Sequence, residues 1–150
     1  MKVVLINPQI PQNTGNIART CAANNITLIL VGKLGFSLDD KYLKRAGLDY
    51  WQHINLEIFK DIDKFFESIL DKNLLLFFST KGQKLFWQAP YHKDSYLIFG
   101  SETEGFPKDI YQKYLEQFYL IPMKNSNIRS LNLATSCGIV VYEAIRQLEH

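Results

Sequence analysis

Five short apolar runs punctuate the chain: KVVLI (2–6), TLILV (27–31), LLLFFS (74–79), YLIFG (96–100) and QFYLIP (117–122). Each is rich in β-branched, aromatic or leucine residues and bounded by turn formers, the pattern of a strand. Most lack polar alternation, which predicts strands covered on both faces. Between them lie helix candidates: Thr14 to Asn24, Asp39 to Ala46, Asp61 to Leu70, Lys108 to Leu115, and Leu131 to Leu148. In the last, Leu133, Cys137, Val140, Val141, Ala144 and Leu148 recur at three- and four-residue steps, marking a long amphipathic helix. Strands alternating with helices predict an α/β fold, a mostly parallel sheet with helices on both faces. Ligands of such sheets bind beyond the carboxyl ends of the strands, which singles out the loops beginning at Asn7, Ser79, Gly100 and Pro122.

Length and composition narrow the picture. A chain of 150 residues without linker, repeat or low-complexity tract is expected to form a single domain over residues 1–150. The apolar run before Asn7 and Pro8 is too short for a signal-peptide core, and no stretch approaches the roughly 20 apolar residues of a membrane span. A cytoplasmic protein without membrane contact is expected. Cys21 and Cys137, without a secretion signal, then read as reduced core thiols. His53, His92 and His150 are scattered and form no ligand spacing with the cysteines, so no metal is expected. The net charge of +2 argues little by itself. Its distribution adds that Lys2, Arg19, Lys33, Lys41, Lys44 and Arg45 face only Asp39, Asp40 and Asp49 in the first fifty residues, either a basic face or ordinary solvated surface.

Four loops carry candidate chemistry. In NPQIPQNTGNIART (7–20), Thr14 or Asn13 is expected to cap a helix, with Asn16 and Arg19 on one face of its opening turns. An arginine near a helix N-terminus suits a phosphate or carboxylate ligand, or equally a surface ion pair. Gly15 is the only glycine of that segment, and neither G-x-G-x-x-G nor a Walker A sequence occurs, which disfavours a dinucleotide or nucleoside-triphosphate site. FGSETEGFP (99–107) sets Gly100 and Gly105 around Ser101, Glu102, Thr103 and Glu104, before Pro107 at a first helical position. It reads as a close approach to a ligand or as a tight turn. IPMKNSNIRSLNLATS (121–136) brings Arg129, Ser130 and Asn132 together at a strand end, where Ser130 and Asn132 also serve as plausible caps. STKG (79–82) draws interest through its position alone.

Taken in order, NTGNIART, FGSETEGFP and IPMKNSNIRSLNLATSCGIVVYEAIRQ resemble the three signature motifs of the SPOUT methyltransferases, in the SpoU branch that methylates ribose 2′-hydroxyls of RNA. The likeness covers essentially the whole chain. GF…DDKYLKRAGLDYW (35–51) and STKG narrow it to the small enzymes acting on the tRNA wobble nucleotide, cytidine or uridine 34, with tRNA-Leu isoacceptors as the expected substrates. The resemblance implies S-adenosylmethionine as methyl donor, a homodimer, and a C-terminal deep trefoil knot, a topology absent from expectations based on element order. It implies cofactor contacts from Phe78, Ser79, Thr80, Gly100, Ser101, Glu102, Ile121, Met123, Ser130 and Leu131. Asn16, Arg19, Glu102, Ser130 and Asn132 carry over as catalytic residues on the acceptor side.

Arg19, Arg129 and Tyr142, with the basic Lys41, Lys44 and Arg45, are the implied contacts to a tRNA anticodon stem-loop, and Tyr50 and Trp51 are aromatic candidates that also suit core or dimer packing. The KNSN stretch before Ile128 departs from the family pattern by an extra residue. Methylation of another tRNA or rRNA nucleotide, and a non-catalytic RNA-binding protein of the same fold, are the alternatives. A guanidinium hardly deprotonates, so Arg19 is expected to bind phosphate and stabilise oxygen charge rather than act as a base. Asn16, Ser130 and Asn132 are expected to orient the ribose, and Glu102 to hold its loop or the hydroxyl.

Overall fold

The computed structural model describes residues 1–149; His150 and the side chains at positions 44 and 47–49, including the candidate Lys44, lie outside the described residues. Seven strands are described: β1 (Lys2–Ile6), β2 (Thr27–Val31), β3 (Leu56–Phe59), β4 (Leu75–Phe78), β5 (Lys84–Leu85), β6 (Tyr96–Phe99) and β7 (Phe118–Leu120). They form one sheet in the order β3-β2-β1-β6-β4-β7-β5. Every described pairing is parallel, with Lys2 opposite both Thr27 and Tyr96 and Phe78 opposite both Phe99 and Tyr119. The helices are α1 (Pro11–Ala23), α2 (Lys41–Gly47), α3 (Ile62–Glu67), α4 (Lys108–Lys113) and α5 (Leu133–Glu149), and a 3-10 turn (Leu48–His53) follows α2.

The uninterrupted apolar runs are explained by two cores. Successive strand residues point to opposite faces. Val3, Leu5, Leu28, Leu30, Leu76, Phe78, Leu97 and Phe99 pack under α1 and α5, against Ile17, Cys21, Cys137, Val140 and Val141. Val4, Ile6, Ile29, Val31, Leu75, Phe77 and Ile98 pack under α3 and α4, against Phe65, Phe66, Ile110 and Tyr114. Phe77 anchors the second face, its ring stacked 4.8 Å from Phe118 and 5.0 Å from Tyr114, in offset geometries that aromatic quadrupoles favour.

Local signals start most helices where expected. Asp40 accepts from the Tyr42 and Leu43 amides at the head of α2, and Asp61 from Lys64 at the head of α3. Asn132 Oδ1 accepts from the Thr135 amide at the head of α5. Helix α1 differs from expectation. It begins at Pro11, whose fixed φ suits a first helical position, and its N-cap is Ile10, which offers no side-chain acceptor. Asn13 and Thr14 therefore sit inside the first turn, buried, and neither caps it. Strands β3 and β5 are additions to the elements expected from the sequence. They are the two edges of the sheet; β3 carries Glu57 and a 43% exposed Ile58, and β5 spans two residues, so neither forms an apolar run. No described helix is long and apolar enough to cross a membrane.

Candidate active site

Because the pairings are parallel, the carboxyl ends of β1, β4, β6 and β7 open on one edge of the sheet. The loops leaving them enclose a cavity of about 860 Å³. Phe78 to Lys81 enter from β4, the 99–106 loop from β6, Ile121 and Met123 from β7, and Arg129 to Leu133 from the approach to α5. Ile10 and Asn13 close the side nearest α1.

The 99–106 loop is folded back on itself. Ser101 and Gly105 exchange both backbone hydrogen bonds, at 2.9 and 3.0 Å. Gly105 takes φ +68°, and a Cβ on Gly100 would stand 2.6 Å from the Gly105 carbonyl carbon. Gly100 is thus required by backbone meeting backbone, and Gly105 by a backbone conformation that L side chains rarely adopt. Glu102 points out of this hairpin toward α1. Its carboxylate accepts from the backbone amides of Gln9 at 2.9 Å and Ile10 at 2.8 Å, and from Asn13 Nδ2 at 3.3 Å. A carboxylate at the head of a helix is favoured by its dipole, and charge-assisted bonds of this kind are stronger than neutral ones. Glu102 thereby satisfies the two amides that lead into α1.

Asn13, expected only as a helix cap, belongs to the site. It is 6% exposed, and its side-chain oxygen accepts from Asn132 Nδ2 at 3.0 Å while its amide reaches Glu102. One hydrogen-bonded chain, Glu102–Asn13–Asn132, thus ties together three segments far apart in sequence. The signal that would have found it is Pro11: a proline at the first helical position carries Asn13 inside the helix, where its amide faces the neighbouring loops.

The residues expected at a cofactor, Phe78, Ser79, Thr80, Gly100, Ser101, Glu102, Ile121, Met123, Ser130 and Leu131, all line this cavity, as do Asn132 and Arg129. Lys81, from the STKG loop, and Tyr111, which carried no sequence signal, join them; Tyr111 meets Ser79 Oγ through its hydroxyl at 3.1 Å, and the Lys81 ammonium lies over its ring at 4.9 Å. Asn16, Arg19, Lys41, Arg45 and Tyr142 are exposed and stand outside the cavity lining. Arg19 places its guanidinium over the Tyr50 ring at 4.9 Å. Trp51 packs against the first core, as its packing reading required.

Comparison with known proteins agrees with this architecture. Residues 1–142 match the SpoU rRNA Methylase family. A curated relative from Synechocystis sp., provisionally named a tRNA (cytidine(34)-2'-O)-methyltransferase, is 49% identical over 149 residues, covering 99% of this chain and 97% of its own. A solved structure described as giving structural insights into the 2-OH methylation of C/U34 on tRNA superposes with a TM-score of 0.91 at 40% identity, covering 99% of this chain and 95% of that one. An AdoMet-bound rRNA methyltransferase from Sinorhizobium meliloti superposes at 0.85 with 25% identity, covering 98% of this chain and 56% of that one. A family match over nearly the whole length, and a sheet whose strand-end cavity gathers the three motif loops, lead to the same conclusion: the chain belongs to the SpoU methylase family.

Proposed function

We propose that the chain is a single-domain, S-adenosylmethionine-dependent methyltransferase of the ribose 2′-hydroxyl of nucleotide 34 in tRNA. The observation that carries the reading is the strand-end cavity, in which an apolar compartment adjoins Glu102, Ser130 and Asn132. Support comes from relatives named for that modification and from the AdoMet-bound family structure. The cavity fits the cofactor. Its volume of about 860 Å³ falls within the range of small-molecule sites. Phe78, Ile121, Met123 and Leu131 offer apolar walls for an adenine, and the 99–106 hairpin brings Gly100 and Ser101 to the lining. S-adenosylmethionine has no phosphate, which agrees with the missing Gly-rich fingerprint.

The bound cofactor supplies an electrophilic methyl group. The protein's part is to hold the ribose oxygen in line with it, since positioning and fixed charge together lower such barriers substantially. Ser130 and Asn132 orient the ribose. Asn132 is itself held by Asn13, and Glu102 works as the brace of the loop rather than as a base, because both its oxygens are already engaged by the head of α1. Arg19 binds the RNA phosphate beside the acceptor and stabilises charge on the 2′-oxygen, whose proton leaves to that phosphate or to water.

Arg19 and Asn16 stand outside the cavity of their own chain, so a second copy is the proposed source of the acceptor side. The outer face of α5 supports a homodimer. Gly138 has nothing within 4 Å of a Cβ position, although a glycine within a helix costs about 1 kcal/mol against alanine, and Tyr142 is 56% exposed beside it. The anticodon stem-loop would lie across Arg129 and the basic α1–α2 surface, with Tyr142 at the edge of the dimer face. The knot is proposed for the C-terminal third, supported by the insertion of β6 between β1 and β4 and by loops 100–105 and 121–132 converging on one cavity. An electron-density trace of residues 75–149 whose ends pull free would overturn it.

Mapping 2′-O-methylated nucleotides in tRNA from cells lacking the protein, then restoring them with purified protein and labelled cofactor, tests the function. Loss and recovery at nucleotide 34 are expected; recovery at another nucleotide refutes the assignment. Arg19→Ala is expected to abolish methylation with cofactor affinity, measured by calorimetry, nearly unchanged.

A further inference from the structure

The guanidinium of Arg19 has one described contact, the face of Tyr50 at 4.9 Å. Among the described residues no carboxylate pairs with it. Arg19 rises from the exposed side of α1, and Tyr50 from the 3-10 turn Leu48–His53, which packs alongside that helix. The Tyr50 hydroxyl has no hydrogen-bond partner among the described residues, and the side chain is 41% exposed. An exposed aromatic beside a basic helix is ordinarily read as a platform for an RNA base. Here the ring face is already occupied by the arginine.

We propose that Tyr50 is a positioning residue for the methyl transfer: its ring holds the Arg19 guanidinium by a cation–π contact, aiming it for the RNA phosphate. The inference rests on the role given to Arg19 above. A long, exposed arginine samples many rotamers, and only a fraction of them present the guanidinium plane to an anion. A ring under the guanidinium restricts that sampling while leaving its N–H edges free, because stacking uses the face of the plane and phosphate uses the edge. A carboxylate partner would instead occupy those donors. The neighbouring cation–aromatic pair Lys41–Tyr42, at 5.1 Å, follows the same pattern on the adjacent helix.

The test measures initial rates with total tRNA from cells lacking the protein and tritiated S-adenosylmethionine, together with cofactor affinity by calorimetry. Tyr50→Leu is expected to lower kcat/KM by about two- to fivefold, the rate equivalent of an exposed cation–π contact, with cofactor affinity unchanged. Tyr50→Phe and Tyr50→Trp restore the rate, because the ring and not the hydroxyl makes the contact. In an Arg19→Ala background Tyr50→Leu has no further effect on tRNA affinity. A Tyr50→Leu variant at the wild-type rate overturns the inference, as does a Tyr50→Phe variant as slow as Tyr50→Leu. An equal effect of Tyr50→Leu on tRNA affinity with and without Arg19 also overturns it, since the ring would then be meeting RNA directly. Should Tyr50→Leu fail to bind cofactor, Tyr50→Phe and Tyr50→Trp replace it: rates near wild type support the contact, and rates well below wild type overturn it. A wild-type rate in Arg19→Ala defeats the underlying reading instead.

Discussion

Glu102 shows how one side chain links sequence motifs that look independent. Its carboxylate satisfies two backbone amides that precede α1 and reaches Asn13, which in turn holds Asn132. Glu102→Ala leaves those donors without their acceptor, and a loss of about 1–3 kcal/mol in urea denaturation is expected. Cofactor affinity should fall with it, because the same loop lines the cavity. The type of chemistry at this position was legible in the sequence: an acid between glycines at a strand end. Its partner was not. Asn13 looked like a helix cap because the rule that places asparagine at caps is local, whereas its actual bonds reach residues 89 and 119 positions away. Arg19 was singled out by its expected place near a helix head; α1 begins at Pro11, which puts Arg19 in the second half of the helix, and only the folded chain sets it beside Tyr50 and outside its own cavity.

At the scale of elements, the strands with uninterrupted apolar runs were legible because burial on both faces removes any need for polar positions. Strands β3 and β5 escaped because sheet edges are half solvated and short. The junction of α1 and α5 is the element-level feature with the clearest solution test. Cys21 on α1 and Cys137 on α5 are both fully buried in the same core. Burial pushes the Cys21 thiol up to about 12 and Cys137 well above its ordinary value, with the charge of Cys21 adding to the latter. Both thiols are therefore protonated and shielded at neutral pH, and Ellman's reagent should react with neither until the protein unfolds. A raised thiol pKa in the folded state means that the unfolded chain releases its proton first. Stability contributed by these groups is full below about 9, the ordinary value, and declines as pH rises toward about 12. Denaturation midpoints between those limits should fall, and a Cys21→Ala, Cys137→Ala double variant should show less of that fall.

At the scale of the molecule, the proposed two-chain working unit, drawn from the separation between the cavity and Arg19, has a direct test. Arg19→Ala and Glu102→Ala subunits, each inactive, are expected to regain part of the activity when mixed and allowed to exchange; no recovery would return both residues to one chain. Parallel architecture and a strand-end site followed from the order of elements, but the proposed threading and pairing of chains did not. A knot depends on which loop passes through another and a dimer on which surfaces meet, and hydrophobic periodicity is silent about both. The Glu102 bridge also gives the molecule a built-in reporter. The amide protons of Gln9 and Ile10 are held by an acceptor 93 and 92 residues away. Their exchange with deuterated water therefore follows openings of the distant hairpin as well as fraying of α1. A ligand that steadies residues 99–106 should slow exchange at Gln9 and Ile10, making the start of the chain a readout of events in its C-terminal half.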